Sequence, residues 1–470
     1  MCKVSAGPIR AAAALAFCLL PDAAFAHASD RGHVLLLPTG HYLVGGAVAV
    51  AASFLALVVL PPAFSERLAA RRLKLFASPE RLRIVTSSLG FLFFIALVVA
   101  GFAGSRDPLS NPLPLVVWTL LWVGLTLAQG LIGDVWRWID PWYAPWRLAS
   151  AVAGGRTVRL PTGWGYWPAF IGFAGFAWFE LIHPAPDDPA VLAAVAGLYW
   201  LASFALMLVF GHEAWSGRGE FLSVFFGMVS RFAVLGRDGP DGRTIDLSWP
   251  GARLSRAAPL PLSGDAFLLL TLSSVSFDGL SRTFFWLGLN GVNPLEFPGR
   301  TAMMAINSNG LALAFAALAI AFLAAVFAGE RLVWSRLPLG QSAGLLVWSI
   351  VPIALAYHFS HYLVVLLVNG QYALAALSDP LDRGWNLFGT ADLHVHAAIA
   401  AGSGASWVVW NLQAAAIILG HILAVLIAHG LAYRLHPDTK NATLSQLPLT
   451  LLMIAYTVLG LWLLSTPTGA

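Results

Sequence analysis

Cysteine is almost absent: the 470-residue chain has two, Cys2 and Cys18, both close to the start. That excludes a disulfide framework or a thiolate metal site in the body of the chain, so a bound metal would need His, Asp, Glu or the amino terminus. Charge is equally scarce. Asp, Glu, Lys and Arg make up 11% of the residues against 58% hydrophobic ones, and the mean hydropathy is +0.75, whereas a soluble globular domain carries roughly 25% charge. There is no Walker loop, dinucleotide fingerprint or C-x-x-C-H haem site, which argues against nucleotide-driven transport. The net charge of +4 implies no nucleic-acid partner, because the basic residues sit in short loops between apolar segments, where membrane orientation accounts for them.

What the chain has in quantity is apolar runs, and they predict an all-α, polytopic membrane protein with the lipid bilayer as its first partner. Runs of roughly 20 residues, enough to cross ~30 Å at ~1.5 Å per residue, fall at 41–60, 84–103, 113–132, 164–182, 189–210, 267–290, 305–328, 345–368, 406–428 and 446–465. Residues 1–26 read as a secretory leader, with Lys3 and Arg10, the apolar stretch Ala11 to Leu20, and Ala24-Phe25-Ala26 as the cleavage site. The mature chain then begins at His27; an uncleaved signal anchor is the alternative. Basic residues cluster at Arg67 to Arg83, Arg137 to Arg159, Arg218 to Arg256, Arg331 with Arg336, and Arg434 with Lys440. Only Arg31, Arg106, Arg300 and Arg383 fall on the other side, so the positive-inside rule predicts ten spans with both ends outside the cytoplasm. Two connections exceed ordinary loop length: an inner one over 211–264, with an interfacial or re-entrant helix near 220–235, and an outer one over 369–402. The aromatic segment Trp136 to Trp146 predicts an anchor at the inner interface.

Candidate chemistry centres on Tyr357-His358-Phe359-Ser360-His361-Tyr362, two imidazoles one helical turn apart inside an apolar run. Ionisable groups at that depth usually bind, pair or carry protons, and i, i+3 spacing puts His358 and His361 on one helix face, with Tyr357 and Tyr362 able to orient them. Three more patterns join them on the outer side, Asp392-x-His394-x-His396, Glu180-x-x-His183 at a span end, and His27 as a new amino terminus with amine and imidazole on one residue, and a fourth, the charged pair Asp278 and Arg282, lies in the middle of a span. His421 lies near the midplane. The resulting expectation is a divalent zinc or copper ion held by His358, His361, His394 and His396, with His183, His421 and His27 as further candidates and Glu180 or Asp278 as ligand or general base. Helix-to-helix hydrogen bonding, a solvated loop and helix-end placement are the structural alternatives for these residues.

The stretch His27-Ala28-Ser29-Asp30-Arg31-Gly32-His33-Val34-Leu35-Leu36-Leu37-Pro38-Thr39-Gly40-His41 and the tail from Leu444 through Gln446, Pro448 and Met453 to Tyr456 resemble bacterial membrane proteins called fenitrothion hydrolases. The resemblance extends over the chain after the leader and brings no catalytic motif with it. It implies an inner-membrane hydrolase of organophosphorus aryl esters, an apolar small-molecule substrate and a second membrane subunit. A carrier of a metal ion or small solute using the same histidines is the competing class, and a haem or quinone oxidoreductase the third.

Overall fold

The computed structural model describes residues 39–59, 67, 70–77, 79–238, 244–296, 298–400 and 402–466; the leader over 1–26 and His27 lie outside them. Helix starts are written locally in the sequence. Asp188 accepts hydrogen bonds from the amides of Ala190 and Val191 with Pro189 in the first turn, Asn111 does the same for Leu113 ahead of Pro112, and Asp438 caps through Asn441. Short polar side chains at these positions satisfy amides that have no partner within the helix.

The long helices are α1 (Thr39–Val59), α2 (Glu80–Ala103), α3 (Pro112–Leu131), α4 (Tyr143–Ala153), α5 (Trp167–Leu181) and α6 (Pro189–Phe210), and then, after the two short helices α7 (His212–Arg218) and α8 (Phe221–Val229), α9 (Leu262–Ser281). A short α10 (Phe284–Leu289) precedes α11 (Arg300–Leu332), α12 (Leu339–Ser378, tightened at Val347–Ser349), α13 (Ser403–Leu435) and α14 (Thr439–Ser465). Among the described residues eight helices are long and apolar enough to cross a membrane, and the chain is an all-α polytopic membrane protein. The other two expected spans are helices of another kind. α5 has 15 residues, which at ~1.5 Å each falls short of the bilayer. The run expected at 267–290 breaks after Ser281, where Arg282 caps α9 and Thr283 starts α10 by accepting from the amide of Trp286.

α9 is the pillar of the bundle. Every residue from Ser263 to Gly279 is buried, and the helix packs against α5, α11 and α12. Its hydroxyls fold back onto the preceding turn, Thr271 to the Leu268 carbonyl, Ser274 to Thr271 and Ser276 to Leu272, which removes most of the cost of burying them. Around it α12 pairs with α13, α13 with α14, and α14 with both α11 and α1. The α11–α14 crossing needs Gly329, because a Cβ there would lie 1.9 Å from the backbone oxygen of Ser445. Small residues allow such backbone approaches between membrane helices.

The 211–264 connection is more structured than expected. α8 does not lie exposed at an interface: Phe221, Leu222, Val224 to Phe226, Met228 and Val229 are all buried, with Phe225 stacked on Phe173 of α5 and tilted against Trp122 of α3. The aromatic segment expected as a surface anchor also turns inward, with Trp136 and Trp142 buried. Beyond α8 an antiparallel sheet forms, β1 (Arg72–Ala77), β2 (Leu235–Asp238) and β3 (Thr244–Ser248), in the order β1-β3-β2 with Leu73 and Leu235 both opposite Leu247. Its buried Asp246 faces Arg253 at 3.4 Å and Arg72 at 3.9 Å.

Candidate functional site

Asp278 sits in the last turn of α9, 2% exposed, and three helices bring polar groups to it. From α12, His361 places Nε2 2.7 Å from Asp278 Oδ2, and Tyr362 donates its hydroxyl to the same oxygen at 2.8 Å. From α9 itself, Arg282 lies one turn on, with Nη2 3.5 Å from Oδ1. From the end of α5, Glu180 places Oε1 3.3 Å from the Tyr362 hydroxyl. The first residue of α11, Arg300, donates to the backbone oxygen of Glu180 at 2.8 Å. A guanidinium suits that place, because the last carbonyls of a helix have no partner within it and carry its negative dipole end. An ionised carboxylate only accepts, so Asp278 fixes the hydrogen of His361 on Nε2 and leaves Nδ1 as the basic nitrogen. Gly279 keeps the space beside that ring open: a Cβ there would come within 3.8 Å of His361 Nδ1 and 2.7 Å of the Tyr357 hydroxyl. The site has a buried side and an accessible one, the side chains of His361 and Arg282 being 19% and 41% exposed.

His358 faces elsewhere. Its Nε2 meets the backbone oxygen of Trp122 at 3.0 Å, and its ring stands edge-on to the Trp122 indole. That oxygen is presented by a π-helical stretch, Leu115–Leu125, a widened turn that leaves carbonyls open to outside donors. The i, i+3 spacing read correctly as one face, but the ~60° between the two positions is enough to send the rings to different neighbours.

The four histidines expected to share a metal do not come together. Among the described residues no group of three or more His, Cys, Asp and Glu is arranged to hold a metal ion. His394 and His396 stand edge-to-face at 5.3 Å, exposed in the 369–402 connection over a surface depression that includes Ile399. His183 stacks on Phe179 and accepts from the amide of Ala185 through Nδ1. His421 is buried on α13 with Nδ1 on the backbone oxygen of Ile417 at 2.8 Å. His27 lies outside the described residues. The two expected carboxylates, Glu180 and Asp278, do converge, through Tyr362.

A second carboxylate–imidazole pair, which the sequence did not suggest, lies beside the aromatic segment. His212 at the start of α7 places Nε2 2.6 Å from Asp140 Oδ2, its ring between Tyr143 and Trp146. Next to it Arg83 donates to Glu213 at 2.9 Å and lies over the Tyr143 ring. Partial desolvation opposes the Glu213 charge although the side chain is 66% exposed, yet the hydrogen bond and charge of Arg83 outweigh it and hold the carboxyl below its usual range. Asp140 and His212 are 72 residues apart, and no local spacing announces such a pair. The contact fastens the aromatic segment to α7. No family model matches this sequence, and comparison with curated proteins and with solved structures likewise gives no match.

Proposed function

We propose that the protein is a membrane-embedded hydrolase of organophosphorus aryl esters, working at the Asp278–His361 pair. The observation that carries the reading is the 2.7 Å contact between His361 Nε2 and Asp278 Oδ2 at the end of a buried helix, with an exposed guanidinium one turn away. Water bound at Nδ1 of His361 gives up a proton to the imidazole as its oxygen attacks phosphorus. Asp278 holds the ring and balances the imidazolium, a general-base arrangement worth ~10²–10⁴ in rate. Arg282 offsets the charge that develops on the phosphoryl oxygen or sulfur. The aryloxide leaves and takes up the proton, which restores the neutral imidazole and gives a phenol and a dialkyl phosphate or thiophosphate. Tyr362, which touches both Asp278 and Glu180, positions the carboxylate. The substrate class comes from the resemblance to the fenitrothion hydrolases, as do placement in a bacterial inner membrane and a second membrane subunit; the distribution of Lys and Arg adds termini on the periplasmic side. An apolar aryl ester reaches such a site from the lipid.

Detergent-solubilised protein mixed with a nitrophenyl dialkyl phosphorothioate is expected to release nitrophenol with no gradient present, and His361→Gln to abolish the release. Wild-type protein that releases none, or a His361→Gln variant at full rate, refutes the proposal.

One observation favours a second reading, a small-solute carrier. The buried α9 breaks at Arg282 and Thr283 beside the charged site, and helices interrupted within the bilayer form substrate sites in transporters. A carrier would act on the solute only in sealed vesicles and release no nitrophenol.

A further inference from the structure

Behind the site, four helices carry a row of buried titratable groups that hydrolysis does not use. Tyr357 stacks on His361, rings 6.1 Å apart and within 8° of parallel, and its buried hydroxyl has no hydrogen-bond partner among the described residues. Its ring lies against Gly460 of α14, one helical turn from Tyr456, whose hydroxyl meets Ser276 Oγ of α9 at 2.5 Å. The ring of His421 on α13 lies 6.5 Å from that of Tyr456. His421 commits Nδ1 to Ile417 and leaves Nε2 buried without a partner. Two turns further along α13, His429 sets Nδ1 on Gln446 and also meets the backbone of Leu57, with the hydroxyl of Tyr433, unpartnered among the described residues, beside it. The row ends at the close of α11, where His436 meets Glu330 Oε1 at 3.2 Å and Glu330 Oε2 is buried and open.

The span of this row is set by α11. Arg300 at its start holds Glu180 and Glu330 near its end holds His436; thirty residues of helix cover ~45 Å, more than the ~30 Å of hydrocarbon. A row of purely structural polar groups in lipid would close its bonds within the protein. Neighbours of this row do so: Ser360 bonds the backbone oxygens of Ala356 and Gln413, and the Gln413 amide returns a bond to the backbone oxygen of Ser360. Tyr357, His421 and Glu330 instead keep an atom open among the described residues, each on a group that can take or give a proton. Open buried polar atoms in a polar setting are where ordered water binds, and chains of such residues in membranes carry protons.

We propose that Tyr357, Tyr456, His421, His429 and the Glu330–His436 pair form a water-bridged proton path through the bundle, joining the Asp278–His361 site to the opposite membrane face. Protons pass along the row by way of the open atoms of Tyr357, His421 and Glu330, and each group returns to its starting state after a transfer. The path is independent of hydrolysis measured in detergent, where both faces share one solution.

The test uses full-length protein in sealed liposomes with a trapped pH dye and a potassium diffusion potential set by valinomycin. Wild-type vesicles are expected to acidify faster than protein-free ones, and His421→Gln or His429→Gln to lose that excess while nitrophenol release in detergent stays unchanged for both. Wild-type vesicles no faster than protein-free ones, or glutamine variants as fast as wild type, overturn the path. If neither glutamine variant folds by thermal melt, Tyr357→Phe, which removes one oxygen, carries the test: loss of the excess supports the path and full retention overturns it.

Discussion

Replacing Asp278 by Asn is the sharpest test of the site, because it keeps the shape and removes the charge. Asp278 Oδ2 accepts from His361 and Tyr362 at 2.7 and 2.8 Å, and Oδ1 faces Arg282 at 3.5 Å. An amide cannot serve all three. If its oxygen takes the Oδ2 place, its NH2 group points at the Arg282 guanidinium, donor against donor. If it flips, the NH2 group faces the Tyr362 hydroxyl and pushes the hydrogen of His361 onto Nδ1, the nitrogen that must be basic. Loss of one charge-assisted hydrogen bond costs ~1.5–3 kcal/mol, and since Arg282 is 41% exposed, water takes over most of its share. The fold is therefore expected to survive with a melting temperature a few degrees lower, while turnover falls by ~10²–10⁴, the usual worth of a positioned general base. Nitrophenol release and a thermal melt in the same detergent measure the two effects. An Asp278→Asn enzyme within about threefold of wild-type turnover would refute the role given to the pair, whatever its stability.

Dialysis against a chelator is expected to leave hydrolysis unchanged, since the described donors do not gather around an ion; loss of activity restored by zinc or copper would contradict that geometry. Gly329→Ala is expected to destabilise by ~1–3 kcal/mol, because the added carbon must displace the backbone at Ser445, and an unchanged melting temperature would show that α11 and α14 can separate freely. The depressed Glu213 carboxyl contributes stability above its ordinary value, and that contribution is lost as the pH falls through the lower folded value. Melting temperatures measured below pH ~4.5 should thus decline less steeply in Glu213→Gln than in wild type; parallel curves would remove Arg83–Glu213 from the account.

The sequence reading of spans succeeded where apolar length alone decides. The run at 189–210 is Pro189–Phe210 and the run at 84–103 is Glu80–Ala103. It overran the end of α9, because the run expected at 267–290 breaks at Arg282 and Thr283, where a new helix starts. At the site, spacing paired Asp278 with Arg282 and Glu180 with His183; the first pair stands, and Glu180 meets Asp278 through Tyr362. Tyr362 was expected to orient the histidines and also bridges the two carboxylates, whereas Arg300 gave no signal, since its role depends on where the end of another helix arrives. Spacing put His358 beside His361 on the sequence, yet ring direction follows from the π-helical carbonyl of Trp122, which no pattern of residue types encodes. The three-stranded sheet was missed for a similar reason. Its strands come from positions 72 and 248 paired across the chain, and two lie in a connection whose glycines, prolines and charges read as loop.

The enclosure of α9 sets a timetable for the ribosome. α9 touches α5, which is synthesised before it, and α11 and α12, which are synthesised after it. When it first emerges, Asp265, Asp278 and its run of hydroxyls have only half their enclosure, and the segment is too polar to partition into lipid unaided. Its entry into the membrane must wait for, or be assisted by, helices that do not yet exist, so truncating the chain before α12 should strand α9 outside the bilayer and leave the remaining helices without the pillar they pack against.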